Sequence, residues 1–146
     1  MDLRLLIVRF FALVTCAAIF AAAHASSGLA LTFRKVGEFI EVWGVFEPGD
    51  TVRFGELVNG LAPADGPDET SVSLNSPGGD LAEGIQFGRF IRQAGLLTIV
   101  KSSNLCSSAC AIAFLGGTAR GAAASGIGRT LQVGAKLGFH GFSASE

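Results

Sequence analysis

Histidine and cysteine are scarce in this chain, with two of the first and three of the second among 146 residues. Metal centres are built from clusters of such ligands at set spacings. Only His140 could join the pair Cys106 and Cys110, and no second pair exists, so the sequence argues against a metal site and calls for no cofactor. Positive charge is not in surplus either: 11 Lys and Arg face 12 Asp and Glu, a formal net charge of −1. Without a basic patch, nucleic acid is not an expected partner. What the chain holds in quantity is alanine, glycine, leucine and phenylalanine, the composition of a packed domain and not of a disordered one.

Residues 1–25 have the pattern of a secretory leader. Arg4 gives a positive start, Leu5–Ala22 is apolar except for Arg9, and Ala23-His24-Ala25 offers an A-x-A cleavage site before Ser26. An uncleaved membrane anchor is the alternative, since the apolar run is nearly long enough to span a bilayer. Cleavage removes 25 of 146 residues and leaves 121, enough for one small domain at 26–146. The expected destination is outside the cytoplasm, in a bacterial periplasm. The leader takes Cys16 and His24 with it, so the exported chain keeps one histidine and two cysteines.

Along the rest of the chain, Leu29, Leu31 and Phe33 alternate with Ala30 and Thr32 as in a strand, and Arg34–Glu38 reads as a turn. Phe39–Phe46 is a second strand. Pro48-Gly49-Asp50 ends it, with Asp50 placed to cap a helix that carries Phe54, Leu57, Val58 and Leu61 on one face. Ala62–Glu69, with two prolines and three acids, is an exposed loop. Val72–Leu74 is a short strand, followed by a turn at Asn75–Gly79. Asp80-Leu81-Ala82-Glu83 opens a helix like a capping box, Leu81, Ile85, Gly88 and Ile91 mark its apolar face, and Gly95 closes it. Leu97–Val100 is a buried strand and Ala109–Leu115 a buried helix, stopped by Gly116-Gly117. Gly121–Gly128 reads as a loop, and Thr130–Val133 and Ala135–Phe139 as extended segments. Strands alternating with helices argue for an α/β fold with a mostly parallel sheet and crossover helices.

In such sheets functional groups gather beyond the carboxyl ends of the strands. Three features fall there: Ser76–Gly79, the stretch Cys106-Ser107-Ser108-Ala109-Cys110, and His140. A serine on a sharp turn before a helix can be a plain cap. It can also be a nucleophile, with the next amide stabilising an oxyanion. Ser108 fits the second role if His140 takes its proton as general base. The amides of Gly79, Gly78 and Ala109 are the candidate oxyanion donors. Cys106 and Cys110 are either a disulfide closing the turn or two reduced, buried small residues.

Asn75-Ser76-Pro77-Gly78-Gly79, followed by an amphipathic helix, a strand, Ser107-Ser108-Ala109 and a later histidine, resembles the signature of the Clp protease proteolytic subunit and its relatives in the ClpP/crotonase superfamily. The resemblance covers roughly Phe39–Phe142. It implies a spiral of β-β-α units, a serine peptidase acting on peptide or protein substrates, Ser108 as nucleophile, His140 as base, Gly79 and Ala109 as oxyanion donors, and homo-oligomeric assembly. With the leader and the Cys-Ser-Ser-Ala-Cys setting, the chain is most similar to exported ClpP-like proteins of bacteria. The family's third catalytic member is an Asp well after the histidine. Only six residues follow His140 here, the sole acid among them Glu146, so the domain is expected to be incomplete at its carboxyl end. Two other readings follow from that departure: a catalytically inactive binding or assembly module, and a Ser–Lys dyad using Lys101 or Lys136. The crotonase branch adds a third, acyl-thioester binding at an oxyanion hole without a nucleophile.

Overall fold

The computed structural model describes residues 29–61, 70–120 and 125–141. The leader expected at 1–25, the loop expected at 62–69 and Glu146 lie outside them. Among the described residues no helix is long and apolar enough to cross a membrane.

The chain folds as an α/β protein on a mostly parallel mixed sheet. Strands β1 (Thr32–Val36) and β2 (Phe39–Phe46) form an antiparallel hairpin. Its two-residue loop places Gly37 at φ 56°, a conformation that glycine takes without cost. The turn expected at Arg34–Glu38 is thus confined to Gly37-Glu38. Arg34, Lys35 and Val36 stay extended because they pair with Glu41, Ile40 and Phe39. Helix α1 (Asp50–Asn59) leads to β3 (Ser71–Gly79), helix α2 (Leu81–Ala94) to β4 (Leu97–Val100), and helix α3 (Ala109–Phe114) follows a separate short strand, β5 (Leu105–Ser107). The hairpin β6 (Thr118–Arg120) and β7 (Ser125–Ile127) stands apart. The last strands are β8 (Arg129–Leu131) and β9 (Lys136–Gly138). Part of the loop expected at Gly121–Gly128 is therefore strand β7, held by cross-strand pairing that a run of Ala, Gly and Ser does not announce.

Strand β3 is the branch point. Its first half, Ser71–Ser73, pairs with β4, which pairs with β8. Further along, Ser76 pairs with Cys106 of β5, which pairs with β9. All of these pairings are parallel. Two asparagines stitch the gap where one branch leaves and the other joins: Asn104 Nδ2 donates to the Leu74 carbonyl (3.4 Å), and the Leu105 amide donates to Asn75 Oδ1 (3.2 Å).

The core lies between the sheet and the helices. Ile40, Val42, Phe46, Val72, Leu74 and Val100 from the strands meet Phe54, Phe87, Ile91 and Ala113 from the helices, all buried. Phe54 and Phe87 pack with tilted rings at 4.5 Å between centres, and Phe46 and Phe87 meet edge to face at 5.4 Å. The buried face of α2 is Glu83, Gly84, Phe87, Gly88 and Ile91. Ile85, expected on that face, is 37% exposed, because α2 turns its two small glycines toward α3. A methyl group built on Gly84 would lie 2.8 Å from Ala109 Cβ, and one on Gly88 3.1 Å from Ala113 Cα. Glycine at these two places lets the helices touch backbone to backbone.

Glu83 is a finding of its own. Asp80 caps α2 by accepting the Glu83 amide at 2.7 Å, as the capping-box pattern predicts. The Glu83 carboxylate does not reach back to Asp80. It crosses to α1 and accepts the amides of Gly49 (3.0 Å) and Thr51 (2.6 Å). Gly49, not Asp50, holds the cap position of α1 and has no side chain to offer. Asp50 instead accepts the Glu47 amide at 2.8 Å and pairs with Arg53.

Candidate active site

Strands β3, β5 and β9 lie side by side and parallel, so their carboxyl ends open on one edge. Each end delivers one element: Gly78 and Gly79 from β3, Ser107 and Ser108 from β5, and Phe139-His140 from β9. The Asn75–Gly79 stretch, expected as a turn, is strand to its last residue. The Pro77 ring costs no ladder bond there, because pairing to β2 skips from Asn75 to Gly78.

Ser108 occupies the cap position of α3, yet its side chain makes no capping hydrogen bond. Its backbone, at φ 56° and ψ −124°, lies outside the extended region that a capping residue normally takes. This is a sparsely populated conformation for a residue with a side chain, of the kind that concentrates at functional sites. Three contacts hold it. The Ser108 amide donates to the Gly138 carbonyl (2.9 Å), the Ile112 amide donates to the Ser108 carbonyl (3.2 Å), and Gly78 packs against its Cβ. A methyl group on Gly78 would sit 2.7 Å from Ser108 Cβ and 3.2 Å from the Ala109 nitrogen. Ser107 and Ser108 are half-buried, and Ala109 is fully buried.

Gly78 and Gly79 divide the work differently from the expectation. The Gly78 amide donates to Ser76 Oγ at 3.1 Å, so it is committed inside its own strand and is no oxyanion donor. Its contribution is room for Ser108. On the β2 side, the Asp80 amide donates to the Phe46 carbonyl at 2.9 Å. A methyl group built on Gly79 would collide with the Phe46 carbonyl oxygen, so glycine there lets β3 pack tightly against β2.

His140 follows β9 and is exposed. Its Nδ1 lies 3.1 Å from the Gly141 carbonyl. A carbonyl can only accept, so this hydrogen bond is made when Nδ1 carries the proton. Cys106 and Cys110 form a disulfide across the serine turn.

Lys101 is placed elsewhere. Its Nζ lies 3.4 Å from Glu41 Oε1 and 4.1 Å from the centre of the Phe39 ring. A Ser–Lys dyad through Lys101 is thereby excluded by geometry. Lys136 stands at the amino end of β9, opposite Leu105. Together, Arg34 and Lys101 hold the Glu41 carboxyl below its ordinary range, Arg34 first, through hydrogen bonds to its two oxygens. These residues, with Trp43, Asn75 and Asn104, line a cleft of about 250 Å³ on the sheet face turned away from the helices. A second cleft lies between α1 and α2, beside Thr51, Gly55 and Phe90. Neither is lined by Ser108, His140, Gly78 or Gly79. Among the described residues, no group of three or more His, Cys, Asp or Glu is close enough to hold a metal ion.

The fold and site define an α/β protein whose parallel strands converge on a strained serine turn. No protein-family model, curated protein or solved structure matches the chain.

Proposed function

We propose that this chain is an exported serine hydrolase of the ClpP/crotonase type, a peptidase acting on peptide or protein substrates. Ser108 is the nucleophile and His140 the general base. The amides of Gly79 and Ala109 form the oxyanion hole. The observation that carries this reading is Ser108 itself, held at φ 56° and ψ −124° with no capping bond to account for it. The spiral architecture of that superfamily is part of the proposal, supported by a central strand, β3, that serves two parallel branches.

Register supports the partners. Gly138 opposes Ser107, so His140 stands one residue beyond the position facing Ser108. Neighbouring strands lie about 4.8 Å apart, which an imidazole spans. A proton on Nδ1 shared with the Gly141 carbonyl supports the tautomer in which Nε2 takes the serine proton, a duty that an acid performs in a full triad. In a serine protease whose orienting Asp is replaced by Asn, the wrong tautomer costs about four orders of magnitude in kcat, so the contact that sets the tautomer matters. A disulfide at the serine turn fits an oxidising compartment, as export requires.

Ser108→Ala should abolish labelling by a fluorophosphonate probe while leaving the circular dichroism spectrum unchanged. Labelling that persists in the variant removes Ser108 as nucleophile. A second reading is an inactive binding module, for which the cleft beside Arg34, Glu41, Trp43 and Lys101 offers a surface apart from the serine turn. A folded chain that never labels would select it.

A further inference from the structure

Ser107, Ser108 and Ala109 are bracketed by two cysteines, and the bracket is covalently closed, with Cα atoms 5.2 Å apart. Both cysteines are fully buried. Cys106 is the middle residue of β5, opposite Ser76 of β3 on one side and Leu137 of β9 on the other. Cys110 is the second residue of α3. The bond therefore ties the helix that follows Ser108 to the strand standing between the glycine strand and the histidine strand.

Ser108 needs such a tie. A non-glycine residue persists at φ 56°, ψ −124° only where its surroundings over-determine it. The hydrogen bonds to Gly138 and from Ile112 act on Ser108 alone. The disulfide joins the chain on both sides of it covalently.

We propose that the Cys106–Cys110 disulfide is the positioning element of Ser108, and that its formation on export switches the hydroxyl from unreactive to reactive. This rests on the reading of Ser108 as nucleophile. In a reducing cytoplasm the two thiols pack as small apolar groups in the same buried place, and the fold stands. The turn between them is then free to relax to an ordinary helix start. In an oxidising compartment a disulfide donor accepts two electrons: one cysteine thiolate attacks its sulfur, the second displaces the resulting mixed disulfide, two protons leave, and the donor departs as a dithiol. Because the sulfurs are buried once the turn closes, small thiols outside do not readily reopen it. Hydrolysis is thus silent during synthesis and committed after export.

The test compares three full-length chains: oxidised, reduced after unfolding and refolded in reductant, and Cys106→Ala/Cys110→Ala. Circular dichroism checks that each is folded. The reduced and variant chains should label with fluorophosphonate at least tenfold more slowly than the oxidised chain, and only the reduced wild type should recover on reoxidation. Against a chromogenic ester the loss should fall on kcat, with KM held. Hydrogen exchange should accelerate in residues 105–112 of both and stay unchanged in Phe39–Phe46. Equal labelling rates in the oxidised and reduced chains would overturn the switch. Unchanged exchange at 105–112 would overturn it whatever the labelling does. An oxidised chain that never labels, with exchange altered as expected, removes the hydrolase reading and with it the switch in reactivity, leaving the disulfide as a restraint on the turn.

Discussion

Replacing Gly78 with alanine asks the serine turn to accept one methyl group where none fits. The added carbon would lie 2.7 Å from Ser108 Cβ and 2.8 Å from the Ser107 carbonyl oxygen, and the second neighbour is backbone. Gly78 also sits at φ 112°, a region that alanine rarely enters. Backbone strain of this kind costs about 1–3 kcal/mol, and overpacking a close contact about 1–3 kcal/mol more. Together they take about 2–6 kcal/mol from a total stability on the order of 5–15 kcal/mol. At about 4 °C per kcal/mol for a domain of this size, that is a fall in Tm of about 8–24 °C. Gly37→Ala is the control. Gly37 also has a positive φ, 56°, but nothing lies within 4 Å of where its methyl would be. It should cost only the left-handed backbone term, about 1–2 kcal/mol. The difference between the two melting temperatures therefore reports the crowding at Ser108 together with the greater backbone strain at φ 112°. Fluorophosphonate labelling, read on folded protein below both transitions, should be lost in G78A and kept in G37A. If G78A melts where G37A does and labels like the wild type, Gly78 does not hold the serine turn.

Two more predictions come from groups outside the turn. Glu83→Ala leaves the Gly49 and Thr51 amides without their acceptor and should destabilise by about 2 kcal/mol, while Glu83→Gln, which can satisfy one amide, should recover part of that; urea unfolding measures both. Glu41 is held below its ordinary pKa by Arg34 and then Lys101, so its pairing contributes stability at neutral pH that fades as the pH falls through the folded-state value. Melting curves of E41Q and wild type should accordingly differ at pH 7 and converge in acid. A gap that persists in acid would assign the effect to packing.

Much of the fold was legible because its signals are local. The β-rich run at Phe39–Phe46, the Asp80 cap three residues before Glu83, and Gly95 after the last helical turn each depend on neighbours within a few positions. The helix spacing of Phe54, Leu57 and Val58 is local in the same way. What failed depended on partners far along the chain. Nothing within Asn75–Gly79 says that β2 will run alongside and keep it extended. Nothing near Glu83 says that its carboxylate will cap a helix 30 residues earlier. Ile85, expected on the apolar face, is partly exposed and Gly84 is buried, because α3 arrives close enough to need the glycine.

The candidate residues show the same division. Sequence alone was enough to name Ser108, His140, the two glycines and the two cysteines, because residue type carries the chemistry and scarcity left few choices. Which of them meet was decided by strand order. Between β3 and β5 lie 25 residues of chain and between β5 and β9 another 28, and only their parallel pairing brings Gly78 against Ser108 and Ser108 against Gly138. Tertiary structure also separated two look-alike glycines: Gly78 spends its amide on Ser76 and lies against Ser108, while Gly79 lies against the backbone of Phe46. The physical reason is that a hydrogen bond's direction belongs to the ladder, while the side chain belongs to the residue.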